Sequence, residues 1–192
     1  DQSNTGAVDG TSTNSTTSLV VIGATTNGSL TLDANSSGAV ARGNIASTSL
    51  LDADSAANAT SAALGGLQSN TDDITATSTG ARATLETQAL TGSSASLLNQ
   101  TETTTAGANS LTQSLMLSST TLGLGTGSAA TTTSPVNAFG SALVAGRQSN
   151  TAATEASSTN SSIALYTGVN NNSSAALTNS TDAATATGNS LT

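Results

Sequence analysis

When residues 83 to 111 are compared with the chain 80 positions further on, one parity holds and the other drifts. Leu85, Thr87, Ala95, Leu97, Asn99, Thr101, Thr105, Asn109 and Leu111 recur unchanged, whereas Glu86 becomes Tyr166, Leu98 becomes Thr178 and Gln100 becomes Ser180. A period of two marks extended strands with one constrained face and one free face; a helix would hold positions three and four apart. The pattern therefore predicts strands. The recurring residues point inward, as do Leu165, Ala175, Leu177, Asn179 and Leu191 in the second copy, while Glu86, Leu98 and Gln100 point outward. The run "SLVVIGA" from Ser18 reads as another, buried strand, far too short to cross a bilayer as a helix.

The match is a duplication. Ser61 to Thr112 lies over Ser141 to Thr192 without a gap, and 24 of the 52 pairs are identical, where composition alone gives about one in eight. Weaker echoes subdivide it. "GGLQSNT", "AGANSLT" and "AGRQSNT" stand about 40 residues apart, and glycine-centred echoes near 23, 43, 65, 80, 107, 125, 146 and 168 fall at intervals of roughly 20. Read as corners, they define a single all-β repeat domain over residues 1–192, a β-solenoid (β-helix) of roughly 20-residue coils stacking into a fibre. "QSNT" to "SLT" takes fewer residues at the start than in the later copies, so the first unit is expected to lack one strand and turn.

Composition changes the picture of the core. Ser and Thr exceed a third of the residues, and Phe139 and Tyr166 are the two aromatics, so large apolar side chains cannot supply a conventional interior. Small side chains and stacked Asn or Thr groups can, as in cross-β packing with its spacing of about 4.7–4.8 Å. Only 7% of residues are charged, unlike a typical disordered chain. The net charge of −8, with Arg42, Arg82 and Arg147 as the only basic side chains, disfavours nucleic acid or anionic lipid as a partner.

Candidate chemistry is sparse. Without His, Lys or Cys there is no usual general base, Schiff-base amine or thiol nucleophile, and the expectation is a non-enzyme without cofactor or metal. Asp52 with Asp54, and Asp72 with Asp73, could in principle hold Ca²⁺ but match no calcium loop and read as solvated turn acids. "LGLGTG" from Leu122 lacks the lysine and spacing of a phosphate loop and reads as a corner or tight strand. Asn-x-Ser/Thr triplets begin at Asn14, Asn27, Asn35, Asn58, Asn99, Asn160, Asn171, Asn172 and Asn179, about as many as this composition produces unaided.

"QSNTGAV" and "ATGNSLT", with Gly and Asn followed by alternating small residues and Gln near the turns, resemble the holdfast-anchoring fibre proteins of stalked bacteria and, more loosely, curlin-type functional amyloid. The resemblance spreads over most of the chain as texture. It implies secretion and surface fibre formation.

The reading that joins these observations is an extracellular, cell-surface structural protein, a homopolymer built head to tail for attachment or matrix formation. The start at Asp1, without Met or a leader, is read as a mature secreted chain. The ends carry related words and no charged or proline-rich cap, so self-assembly is expected through Gln2, Ser3, Asn4, Thr5 and Gly6 against Asn189, Ser190, Leu191 and Thr192. A surface polysaccharide or an outer-membrane anchor would be the further partner, with no nucleic acid and no membrane span. The alternative is an ice- or carbohydrate-binding adhesin module, which needs threonine ranks on one outward face; "TST" at 11–13 and "TAT" at 75–77 are candidates, although threonines stand on both parities.

Overall fold

In the computed structural model, which describes residues 1–52, 62–117, 126–129, 136–139 and 142–192, every regular element is a β-strand. A first layer holds β1 (Gln2–Asn4), β2 (Val8–Thr13), β3 (Thr16–Thr26), β4 (Ser29–Asp33), β5 (Ser36–Ser37) and β6 (Val40–Asp52). A second holds β7 (Ala62–Asn70), β8 (Ile74–Thr79), β9 (Arg82–Thr91), β10 (Ser94–Leu98) and β11 (Thr101–Leu117). After the antiparallel pair β12 (Thr126–Ala129) and β13 (Val136–Phe139) comes a third layer of β14 (Ala142–Asn150), β15 (Thr154–Thr159), β16 (Ser162–Asn171), β17 (Ser174–Thr178) and β18 (Thr181–Leu191).

Equivalent strands of the three layers pair in parallel and in register, giving five columns: β1–β7–β14, β2–β8–β15, β3–β9–β16, β4–β10–β17, and β5 with β6 on β11 and then β18. Gln2 pairs with Gln68 and Gln68 with Gln148. The second and third layers keep the 80-residue offset throughout, as in Leu97 with Leu177 and Asn109 with Asn189. Between the first two layers the offset is 66 residues up to Val21, paired with Thr87, and 65 from Ala24, paired with Ala89, because the first layer carries one extra residue in a bulge.

This register corrects the expected coil of about 20 residues. Stacked neighbours lie 65, 66 or 80 residues apart, so echoes at about 20 fall within one turn; Gly80 stands at a corner and Gly23 at the bulge, while the echo near 125 lies outside the described residues. The 40-residue echo also has a structural origin: the Gln68 strand faces the Asn109 strand across the interior, Gln68 Nε2 donating to Ser110 O at 2.9 Å and Asn109 Nδ2 to Ser149 O at 2.8 Å. Nor does the first unit lack a strand. All five columns are present in it, and its counterpart of "NSLT" is "NIAS", Asn44 to Ser47, paired with Asn109 to Thr112; the early "SLT" lies in β4.

Three of the corners are made by single residues in the left-handed region. Asn14, Gly80 and Asn160 form one such column, Asn27, Gly92 and Asn172 a second, and Ala34, Asn99 and Asn179 a third, all with φ between 49° and 69°. Asn tolerates this conformation better than other residues with a Cβ, and Gly adopts it freely. A Cβ on Gly80 would sit 2.6 Å from Asn14 Oδ1, so the middle layer also uses glycine to make room. Six of the nine Asn-x-Ser/Thr triplets start at these corners, at Asn14, Asn27, Asn99, Asn160, Asn172 and Asn179. Their recurrence has a backbone cause.

Each left-handed residue also advances the inward parity by one. Leu85, Thr87, Ala95 and Leu97 are buried, but Asn99 is exposed at its corner, and beyond it Gln100, Glu102, Thr104, Ala106 and Ala108 are buried while Thr101 and Thr105 are half-buried. The inward assignments of Asn99, Thr101, Thr105 and Asn179, and the outward one of Gln100, are corrected for this reason. A kink at Ala108 restores the original parity, and Asn109 and Leu111 are buried. In "SLVVIGA" one face is open: Leu19 and Val21 are half-buried, while Val20 and Ile22 are exposed.

The interior has two apolar parts. Leu85, Leu90, Ala95 and Leu97 pack with Leu19, Leu30, Leu32, Ile163 and Leu165. Ile74 packs with Ala39, Ala41, Ala76, Ala106 and Ala108, where small residues let the strands approach until a Cβ on Gly10 would lie 2.4 Å from Val40 O. Glu86, between Val20 and Tyr166 in its column, stands outside both. Glu86→Tyr is accordingly expected to shift the urea midpoint by no more than the equivalent of about 0.5 kcal/mol; a larger loss would contradict its outward placement.

Candidate self-assembly faces

Among the described residues, second-layer strands are paired on both sides, and first- and third-layer strands on one. Burial follows this asymmetry column by column. Leu97 is 0% exposed and Leu111 2%, but their third-layer counterparts Leu177 and Leu191 are 45% and 52% exposed. Leu165 is half-buried and Ala175 exposed. These are inward positions that have lost one covering layer. Among the described residues, each outer face is thus a section through the core bordered by unpaired backbone N–H and C=O groups, the condition that invites strand addition.

Three ladders of side-chain amides run through the layers. Gln148 Nε2 donates to Gln68 Oε1 at 2.8 Å, and Gln68 Nε2 to Gln2 Oε1 at 2.6 Å. Asn4 Nδ2 donates to Asn70 Oδ1 and Asn70 Nδ2 to Asn150 Oδ1, both at 2.7 Å. Asn44 Nδ2 donates to Asn109 Oδ1 at 2.9 Å, and Asn109 Nδ2 to Asn189 Oδ1 at 2.8 Å. The glutamine ladder donates toward the first layer and both asparagine ladders toward the third. Spare amide protons stitch across the interior, Gln2 to Ile45 O, Gln148 to Ser190 O and Asn44 to Ser69 O. The buried amides of Gln68, Asn70, Asn44 and Asn109 are satisfied in this way without charge.

The buried carboxylate Glu102 accepts from Ser37 Oγ and Ser78 Oγ. One layer on, Asp182 accepts from Ser158 Oγ at 3.1 Å. The small cleft beside Glu102, lined by Thr17, Arg82, Gln100 and Ile163, is about 20 Å³, room for about one water. Asp72 and Asp73 serve the turn, accepting from Asp73 N–H at 2.9 Å and Ala153 N–H at 3.0 Å respectively; Asp54 lies outside the described residues, and among those described no group of three or more acidic, His or Cys residues could hold a metal. "LGLGTG" is described only at Thr126 and Gly127, in β12. Arg42, Arg82 and Arg147 are exposed. No helix among the described residues is long and apolar enough to cross a membrane.

The terminal words singled out from sequence lie on opposite outer layers. Gln2, Ser3 and Asn4 form β1, followed by Thr5 and Gly6 at the bend, whereas Asn189, Ser190 and Leu191 close β18, with Thr192 N–H donating to Leu111 O at 3.0 Å. They occupy different columns: the counterpart of Asn189 in the first layer is Asn44, and that of Gln2 in the third is Gln148. Gln148 and Asn150 could have been found from the third "QSNT". Asn44 could not, because "NIAS" shares only its Asn with "NSLT".

One outward face carries threonine ranks. On β2–β8–β15, Thr11 and Thr13 pair with Thr77 and Thr79, which pair with Ser157 and Thr159; here the ranks share one face, as the sequence parity did not suggest. Set against protein-family models, curated proteins and solved structures, the chain matches none of them.

Proposed function

We propose that the chain is a β-solenoid subunit of an extracellular structural fibre, polymerising end to end on the cell surface for attachment or matrix formation. The observation that carries this reading is the pair of outer layers whose edges are unpaired among the described residues and whose columns match, with Leu177 and Leu191 half-exposed where Leu97 and Leu111 are covered. Placing one outer face on the other adds the same parallel ladder that already joins the three layers. Such a contact is heterologous and leaves a free face after each addition, so it propagates as an open filament. The sequence texture shared with secreted fibre proteins supports the location.

Ser174 N–H donates to Ser93 O, so alternation along β17 turns the Leu177 N–H toward the open side. Leu177→Pro is therefore expected to remain folded, as proline does at an edge, and to reduce long filaments to short oligomers in electron micrographs and light scattering. Wild-type-length filaments from the variant would mean that the third layer is not the growing face. The second reading, an ice- or carbohydrate-binding module, is favoured by the ranks Thr11–Thr77–Ser157 and Thr13–Thr79–Thr159. Thermal hysteresis in dilute wild-type protein that forms no filaments would select it.

A further inference from the structure

Resting on the end-to-end reading, we propose a single register for the joint: the third layer of one copy receives the first layer of the next as though it were its own fourth layer. Gln148 then lies against Gln2, Asn150 against Asn4, Leu177 against Leu32 and Asn189 against Asn44 of the next copy, the column assignments already present within the chain. Each amide ladder continues. Asn189 Nδ2 reaches Asn44 Oδ1 and Ser3 O of the next copy, as Asn109 Nδ2 reaches Asn189 Oδ1 and Ser149 O. Gln2 of the next copy donates to Gln148 Oε1, as Gln68 does to Gln2.

Two equal ends cannot meet in this way. Their strands would run antiparallel, and ladders that end on donors would face donors. The joint is therefore polar, and it makes Asn189 a neighbour of β1 of the next copy through the Ser3 carbonyl, although the two segments belong to different columns.

The register has one electrostatic signature. Among positions paired in all three layers, it sets charge against charge only in the column Asp9–Thr75–Glu155, where Glu155 meets Asp9 of the next copy; Asp33 meets Thr178 and Arg42 meets Thr187. Asp9 and Glu155 are both exposed. Within one chain they stand two strand spacings apart, about 9.5 Å, with Thr75 between, whereas in the joint they are directly opposite at about 4.8 Å. Like charges so placed oppose pairing, and opposite charges favour it.

The test measures the critical concentration for filament growth, by sedimentation, for wild type, Asp9→Lys, Glu155→Lys, the double variant, and Glu86→Lys. Glu86→Lys changes net charge as each single variant does, but at a middle-layer position away from the joint. Each single joint variant is expected to lower the critical concentration about 3- to 10-fold, by converting a like pair into an opposite pair. The double variant sets Lys against Lys and should return to within about twofold of wild type. A double variant showing the product of the two single effects, or single variants no better than Glu86→Lys, overturns this register while leaving end-to-end growth standing. Absence of filaments from wild type and all variants overturns the register together with the reading beneath it.

Discussion

Leu97→Pro is expected to unfold the chain, in contrast to the same substitution at Leu177. Leu97 is 0% exposed in β10, which is paired with β4 on one side and β17 on the other. Ser94 N–H donates to Gly28 O in the first layer and Asn99 N–H to Thr178 O in the third, so the alternation aims the Leu97 N–H at the third layer. Proline removes that ladder bond from a central strand, where no water can replace it, and also withdraws a leucine from the larger apolar cluster. The lost packing and the unpaired carbonyl together cost about 4 kcal/mol or more, a large share of the about 5–15 kcal/mol that usually holds a domain folded. Circular dichroism should show loss of the β signal, or a urea midpoint displaced far below wild type. A variant with a wild-type midpoint would remove β10 from the centre of its column.

Asn109→Asp tests the amide ladders with almost no change in shape. Asn109 is 3% exposed, accepts from Asn44 Nδ2 and donates to both Asn189 Oδ1 and Ser149 O. A carboxylate there keeps the accepted bond but faces two oxygen atoms at about the former bond distance of 2.8 Å, with no cation to offset the burial. A loss of about 3–5 kcal/mol is expected at neutral pH, as for an uncompensated buried charge. Protonation restores one donor, so the folded-state pKa of the introduced acid is raised above the unfolded value of about 3.9. The loss relative to wild type should therefore be smallest below about pH 3.9 and grow as pH rises through the raised folded value. Paired urea titrations at acidic and neutral pH check this. A loss independent of pH would mean that packing, and not the ladder, sets the importance of Asn109.

Much of this arrangement was legible in the chain. The alternation at Leu85, Thr87, Ala95 and Leu97 reports a strand because side chains on a pleat point to opposite faces, a local property. The 80-residue copy reports in-register stacking because a parallel ladder places like on like, which is why Gln68 and Gln148, or Asn109 and Asn189, could keep the same amide in both copies. The core residues beyond Asn99 were misplaced for an equally local reason: one left-handed residue moves the inward face to the other parity, and the sequence does not say which Asn is bent. Asn44 was hidden because its neighbours in "NIAS" differ from "NSLT" while its own contacts are those of Asn109.

The sequence by itself determined that the chain is built of strands, that Ser61 to Thr112 repeats as Ser141 to Thr192, and that polar amides and small residues replace a large apolar core. These follow from pleat geometry, self-similarity and composition. The tertiary structure decided how many strands make one turn, which residues stack at offsets of 65, 66 and 80, and which way each amide ladder donates. The physical reason is that three of the corners are single residues of left-handed backbone, a conformation available to Asn and Gly in many places. Only the summed bends of a whole turn, closing against the apolar clusters at Leu97 and Ile74, bring a strand back over its own equivalent.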